Sequence, residues 1–132
     1  MIAVTGSRWL LDTSILVDVF RGHESAKLWV DSIAPPQRFL SVVTAAELLA
    51  GCRNRQEQRA VEREIGLYRI VWLDESISRK SFELYRTFHL SHGAGFLDCL
   101  IAATGITHGF LIATLNLKHF EPLSGVKARV PY

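Results

Sequence analysis

Short apolar runs alternate with amphipathic segments along the whole chain. The runs hold four or five residues, are rich in β-branched and aromatic side chains, and are bounded by turn residues, which predicts buried strands. In the segments between them, apolar residues recur every third or fourth position, as on one face of an α-helix. The predicted strands cover residues 8–12, 39–43, 69–73, 110–113 and 126–130. The predicted helices cover residues 14–21, 24–34, 45–52, 56–68, 76–90 and 96–107, with a short turn or helix over 115–120.

Strands and helices that alternate at this spacing form βαβ units. They predict an α/β fold with a central, mostly parallel sheet of four to five strands, covered by helices on both faces. A chain of 132 residues is long enough to bury a core without disulfides, so we expect one domain over 1–132 with its core at about 8–130. In such sheets, ligands bind beyond the carboxyl ends of the strands.

Composition and charge indicate which partners and which cellular compartment the protein is suited to. The net charge of +2 permits a polyanionic partner without requiring one. Cys52 and Cys99 lie far apart in apolar helical runs, which predicts two free thiols in a reducing compartment. The stretch from Met1 to Arg8 lacks the apolar segment of a signal peptide, and polar residues and glycines interrupt the apolar region 96–115. We therefore expect a cytoplasmic protein with no membrane partner.

Three acidic residues stand alone in apolar runs. Asp12 ends the first strand, Glu47 follows the second, and Asp98 precedes the fourth. Each has an ordinary structural explanation. Asp12 could cap the first helix, Glu47 could complete a capping box with Thr44, and Asp98 would be favoured in a first helical turn.

Together the three acids favour a different interpretation. Uncompensated carboxylates in apolar surroundings are costly, and in this fold they would approach one end of the sheet. Converging carboxylates repel one another unless a divalent cation neutralises them. Ligation by oxygen alone favours Mg²⁺, with Mn²⁺ as a substitute. The chemistry that suits such a site is the attack of water on a phosphodiester bond.

Four segments also resemble a known family, the PIN-domain nucleases, and more narrowly the VapC-type toxins of bacterial toxin–antitoxin pairs. They are residues 10–14, 41–48, 96–104 and 113–120, in family order and spacing. The resemblance implies a PIN-like three-layer α/β/α domain. It also implies a Mg²⁺-dependent endoribonuclease that cleaves RNA, is held inactive by a cognate antitoxin protein and forms a homodimer.

Carried over position by position, the resemblance places Asp12, Glu47 and Asp98 on the acidic, catalytic metal-binding set, with Asp12 and Asp98 as direct ligands. The family's fourth position is frequently Asp and is Asn116 here. An amide adds no charge, so a one-metal mechanism with a well-hydrated Mg²⁺ becomes more plausible than a tightly held second metal. Asn116 could instead only shape the turn.

Further polar residues could support the site. Three hydroxyls could orient the carboxylates or the substrate phosphate, although capping and turns explain them about as well: Thr13, Ser14 and Thr114. Three arginines could bind RNA, but arginines mixed with glutamates on a helix are more often a solvated face: Arg53, Arg55 and Arg59. We expect His119 in a loop near the substrate and Asp18 on the solvated face of the first helix. The tryptophans at positions 9, 29 and 72 are predicted core residues.

Two other functions remain open from the sequence. One is a hydrolase of small phosphate esters, although an aspartyl-phosphate enzyme would need a second Asp two residues after Asp12, where Ser14 stands. The other is a catalytically degenerate PIN-like module that binds RNA or protein. Binding of Mg²⁺ or Mn²⁺ at millimolar concentration separates this last possibility from a nuclease.

Overall fold

A computed structural model of the chain describes residues 6–132, and within that range five parallel strands form the sheet. The strands are β1 (Trp9–Leu11), β2 (Arg38–Ser41), β3 (Arg69–Val71), β4 (Leu111–Ala113) and β5 (Ala128–Arg129), in the order β3-β2-β1-β4-β5. The helices are α1 (Thr13–Phe20), α2 (Glu24–Asp31), α3 (Val42–Ala50), α4 (Arg55–Ile65), α5 (Glu75–His92) and α6 (Phe96–His108), with 3₁₀ turns at Pro35–Gln37 and Leu117–His119. The predicted α/β alternation is confirmed.

Alternating side chains of the strands bury two separate cores. Trp9 and Leu11 of β1 face one side of the sheet, where they pack with residues of α1 to α4. Leu10 faces the other side, with residues of α5 and α6 such as Leu84 and Ile101. The domain therefore has the predicted three layers, helices, sheet and helices.

The second strand and the helix after it meet earlier than predicted. The side chain of Ser41 accepts a hydrogen bond from the main-chain N–H of Val43, and this cap starts α3 at Val42. The predicted capping box of Thr44 and Glu47 is therefore wrong, because both residues lie inside α3. Glu47 is free to use its carboxylate elsewhere.

Two packing predictions also fail. Trp72 follows the last residue of edge strand β3 and is 69% exposed, because β3 has a neighbouring strand on one side only. Asp18 is half-buried and accepts a hydrogen bond from Tyr132, so it is not a solvated charge. Trp9 and Trp29 are buried as predicted, with their rings edge to face at 5.0 Å.

Three structural features bear on where the protein is located in the cell. Residues 1–5, which belong to the stretch where we expect no signal peptide, lie outside the described residues. In the part of the chain that the structure describes, no helix is both long and apolar enough to cross a membrane. Cys52 and Cys99 are both free thiols, as predicted.

Candidate active site

A cleft of about 550 Å³ opens at the carboxyl ends of β1 and β4, between α1, α3 and α6. All three acidic residues predicted for the site line it, together with other predicted site residues: Asp12, Glu47, Asp98, Thr13, Ser14 and Asn116. Their positions follow from the fold. Asp12 comes directly after β1, Glu47 lies on the helix after β2, and Asp98 lies in the first turn of α6.

Asp12 is buried and held by two hydroxyls. Only 6% of the residue is exposed, and its Oδ2 accepts hydrogen bonds of 2.9 Å from both Ser14 Oγ and Thr114 Oγ1. Asp12 occupies the N-cap position of α1, but its side chain makes no capping hydrogen bond. The capping alternative for Asp12 is therefore wrong, and the two hydroxyls compensate its buried charge instead.

The backbone after β4 fixes both of these hydroxyls. Ser14 Oγ accepts a hydrogen bond of 3.0 Å from the N–H of Leu115, and Thr114 Oγ1 accepts one of 2.9 Å from the N–H of Asn116. A hydroxyl has one proton to donate. Because each oxygen already accepts from the backbone, its proton is committed to Asp12. Since both protons go to Oδ2, Asp12 Oδ1 keeps its lone pairs for a further partner.

Glu47 belongs to the rim of the cleft. The residue is exposed, contrary to the expectation that all three acids lie in apolar surroundings. Its Oε1 accepts a hydrogen bond of 2.8 Å from Thr13 Oγ1, and that hydroxyl lies 3.4 Å from the hydroxyl of the buried Thr44. Thr13 therefore links the first residue of α1 to the acid on α3.

Asp98 is repelled by both of the other acids. Partial burial raises the pKa of the Asp98 carboxyl, the negative charge of Asp12 raises it further, and Glu47 adds a smaller increase. His119 opposes this rise in pKa, with its Nδ1 at 3.5 Å from Asp98 Oδ2. The site thus concentrates more negative charge than its own residues balance.

Asn116 contributes to the turn through its backbone. Its N–H bonds to Thr114 Oγ1, and its carbonyl oxygen accepts a hydrogen bond of 2.9 Å from the N–H of His119. The side chain is exposed and lines the cleft. Both interpretations of Asn116 are thus compatible with its position.

Two residues of the cleft were missed by the sequence reasoning, Asp18 and Arg21. The signal was present in their spacing. Ser14, Asp18 and Arg21 are four and three residues apart, which places them on one face of a helix. Arg21 is an exposed cation on a rim that is otherwise acidic.

The predicted arginines lie beside the cleft or away from it. Arg53 lines an adjoining groove of about 630 Å³ between α1, α3 and α4, which shares Thr13, Arg21 and Glu47 with the cleft. Its guanidinium pairs with Glu57, at 2.8 Å between Nη2 and Oε2. Two further arginines are exposed on α4, where a role in RNA binding stays a prediction: Arg55 and Arg59.

The donor set of the cleft fits a hard divalent cation that keeps much of its water. Within residues 6–132, no group of three His, Cys, Asp or Glu side chains is close enough to hold a metal ion together. The candidate ligands are carboxylate oxygens, the partners that Mg²⁺ prefers, and Mg²⁺ commonly reaches part of its site through water. Such a cation would neutralise the negative charges of Asp12 and Glu47 that raise the pKa of Asp98.

Comparison with known proteins places this arrangement in context. The PIN domain family model matches residues 9–122. Ribonuclease VapC10 of Mycobacterium tuberculosis is 34% identical over 120 residues, which cover 89% of this chain and 90% of that protein. Ribonuclease VapC1 of Methanocaldococcus jannaschii is 31% identical over 121 residues, covering 89% of this chain and 82% of that protein. A solved toxin-antitoxin complex from Klebsiella pneumoniae contains a chain with a TM-score of 0.78 and 26% identity, covering 93% of this chain and 97% of that one.

Proposed function

The chain belongs to the PIN-domain family and, within it, to the VapC ribonucleases, and we propose that it is a metal-dependent endoribonuclease, the toxin of a toxin–antitoxin pair. One observation supports this function above all others. Three carboxylates from separate parts of the chain, Asp12, Glu47 and Asp98, face one cleft, and Asp12 and Glu47 both repel Asp98 there. A divalent cation that also binds a phosphate of RNA would offset that repulsion.

Each polar residue of the cleft has its own role in this proposal. Asp12 and Asp98 would hold Mg²⁺, or Mn²⁺ in its place, and Glu47 would complete the acidic set from the rim. When bound, the cation supplies Lewis-acid chemistry, because it polarises the scissile phosphate and offsets charge on the leaving oxygen. Ser14 and Thr114 keep Asp12 oriented through Oδ2, and Thr13 keeps Glu47 turned towards the cleft. Arg21 is placed to attract the phosphate backbone of the RNA to the acidic site.

Asn116 bears on how many cations the site holds. Because an amide stands at position 116, the cleft carries one negative charge fewer than it would with Asp there. We propose a single, well-hydrated cation, with the Asn116 side chain orienting water or substrate. Its backbone meanwhile anchors the Thr114 hydroxyl.

A toxin of this kind needs a protein that restrains it. We propose a cognate antitoxin as that partner, in keeping with the toxin-antitoxin complex among the similar structures. We also propose a homodimer, because α5 exposes large apolar side chains, among them Phe82 at 61% and Leu90 at 88%. A cytoplasmic location suits the two free cysteines.

Cleavage of RNA tests the proposal directly. The purified protein should cut single-stranded RNA internally when Mg²⁺ or Mn²⁺ is present, and EDTA should abolish the cutting. A chromogenic phosphate monoester serves as the competing substrate. Faster turnover of the ester than of RNA would indicate a phosphate-ester hydrolase, and no binding of either cation at millimolar concentration would indicate a non-catalytic module. Either result would contradict the proposal.

A further inference from the structure

A second polar groove runs from the amino ends of the inner strands along the edge strand β3, and it shares no lining residue with the cleft. It has a volume of about 490 Å³, within the range of roughly 300–1,000 Å³ that small-molecule sites occupy. It is formed where residues before β1, β2 and β4 meet the edge strand β3. We call it the amino-end groove. Its polar and aromatic lining includes Arg8, Gln37, Arg69, Trp72 and His108.

Two arginines in this groove are fixed on aromatic rings. Phe39 and Phe110 stack on each other with centroids 4.5 Å apart. The guanidinium of Arg8 lies 4.9 Å from the Phe110 centroid, and that of Arg69 lies 5.3 Å from the Phe39 centroid. A guanidinium at this distance from an aromatic ring is attracted by a cation–π interaction, and its N–H groups stay available to a planar or tetrahedral anion.

The positive charge of these arginines has no acidic partner among residues 6–132. The ion pairs in that range involve other residues, so neither Arg8 nor Arg69 has a carboxylate within 4.0 Å. Arg8 donates one hydrogen bond, to the carbonyl oxygen of His108. Asp74 lines the groove too, but its Oδ1 accepts a hydrogen bond from the N–H of Ile77, which caps α5. The groove therefore presents two cations to a ligand, beside the one carboxylate that caps α5.

The groove also offers a feature that a simple anion would not use. The Trp72 indole at its edge is 69% exposed, although a large apolar ring gains by being covered. The matching ligand has a negative charge and a flat ring.

We propose that the amino-end groove binds an unpaired nucleotide. Arg8 and Arg69 bind its phosphate, and Trp72 stacks on its base. The nucleotide is either free or part of a single-stranded RNA. This site is separate from the acidic cleft, and its ligand follows from the chemistry of the groove and not from the proposed cleavage.

Binding measured without cleavage tests the site. The full chain is titrated with fluorescein-labelled single-stranded RNA and, separately, with AMP, both in EDTA, so that a failure of the proposed nuclease activity leaves the result readable. Trp72→Ala and Arg69→Gln should each raise the Kd about tenfold. Arg86→Gln removes the same charge from an exposed residue of α5 outside the groove and should leave the Kd within about twofold.

The dependence on salt separates the two kinds of contact. Arg69→Gln should reduce the slope of log Kd against log salt by about one unit, whereas Trp72→Ala should leave it unchanged. Binding of both AMP and RNA supports a site for a free nucleotide, and binding of RNA alone supports a site for a segment of a longer chain. The proposal is overturned if neither ligand binds, or if the groove variants bind as the wild type does.

Discussion

The hydroxyl of Tyr132 donates a hydrogen bond of 2.9 Å to Asp18 Oδ2, across 114 positions of the sequence. Asp18 lies on α1 and lines the acidic cleft, so the stretch after β5 is tied to a wall of the candidate active site. The Tyr132 ring also lies near His23 and Trp29, with centroids at 5.4 and 6.5 Å. Burial raises the pKa of Tyr132, and the bond to the Asp18 carboxylate raises it further.

Replacement of Tyr132 by Phe should isolate the contribution of that hydrogen bond to the free energy of unfolding. The ring contacts with His23 and Trp29 survive, while Asp18 loses its donor. We expect the free energy of unfolding to fall by about 1 kcal/mol, measured by urea denaturation at neutral pH. Tyr85→Phe is the matched control, because among residues 6–132 the Tyr85 hydroxyl makes no hydrogen bond and its ring stacks on His89. If the free energy of unfolding fell equally in the two variants, the hydrogen bond to Asp18 would contribute nothing to stability.

The environment of Tyr68 should make the folded protein less stable at alkaline pH. Tyr68 is buried, and its hydroxyl donates a hydrogen bond of 2.9 Å to Glu64. Burial first, and the Glu64 charge second, raise the pKa of Tyr68 far above the value of about 10 in the unfolded chain. Above pH 10 the unfolded state therefore releases a proton that the folded state keeps, and folding stability falls by up to about 1.4 kcal/mol per pH unit.

The variant Tyr68→Phe removes this titration. Below about pH 10 it should be less stable than the wild type, because the bond to Glu64 is lost. Above that pH its stability should decline less steeply, so the difference between the two proteins should shrink. Urea denaturation at pH 8, 10 and 11 measures both slopes. Parallel slopes above pH 10 would contradict the role given to Tyr68.

Much of the fold was predictable because it rests on local patterns. The runs around Leu10, Leu40 and Ile112 are apolar enough to indicate buried strands, and all three residues are fully buried in β1, β2 and β4. The rule that ligands bind at the carboxyl ends of parallel strands was enough to bring Asp12 and Glu47 to one cleft.

The rest depended on contacts that sequence patterns do not contain. The hydrogen bond from Thr114 to Asp12 joins residues 102 positions apart, so no local motif announces it. Ser41 and Thr44 are both good helix caps, and only the register of β2 decides that Ser41 is the cap used. Trp72 looked like a core residue because an apolar run does not reveal where an edge strand ends.

The acid on α6 should be essential for cleavage and dispensable for folding. Asp98→Asn removes a half-buried charge that Asp12 and Glu47 repel, so the folded protein should be as stable as the wild type or more so. The rate of RNA cleavage should fall by about two orders of magnitude or more, because the cation loses a charged ligand. Asp31→Asn is the matched control, since Asp31 is an exposed acid on α2 that pairs with Lys27. Cleavage by Asp98→Asn at the wild-type rate would place the active site elsewhere.

The Thr114 hydroxyl should matter through Asp12. Thr114→Val keeps the shape of the side chain but removes the donor to Asp12 Oδ2 and the acceptor for the Asn116 N–H. We expect cleavage to fall about 10- to 100-fold, with a higher Mg²⁺ concentration needed for half-maximal rate. Thr114→Ser restores the hydroxyl and should recover most of the activity. A threonine that served only to fill space would give the opposite order, with Val better than Ser.

Asn116→Asp should change stability in opposite directions with and without a cation. The variant adds a further carboxylate to a cleft in which Asp12 and Glu47 already repel Asp98, so without metal the protein should be less stable by about 0.5–1 kcal/mol. A cation binds the extra charge more tightly and stabilises the folded state by RT ln(1 + [Mg²⁺]/Kd), so at 10 mM Mg²⁺ the deficit should shrink or reverse. Thermal unfolding in EDTA and in Mg²⁺ measures the stability difference from the wild type without and with the cation. Asn116→Ala adds no charge, so its stability difference should be the same under both conditions. If Asn116→Asp were equally destabilised under both conditions, Asn116 would serve the turn alone and the cation would lie out of its reach.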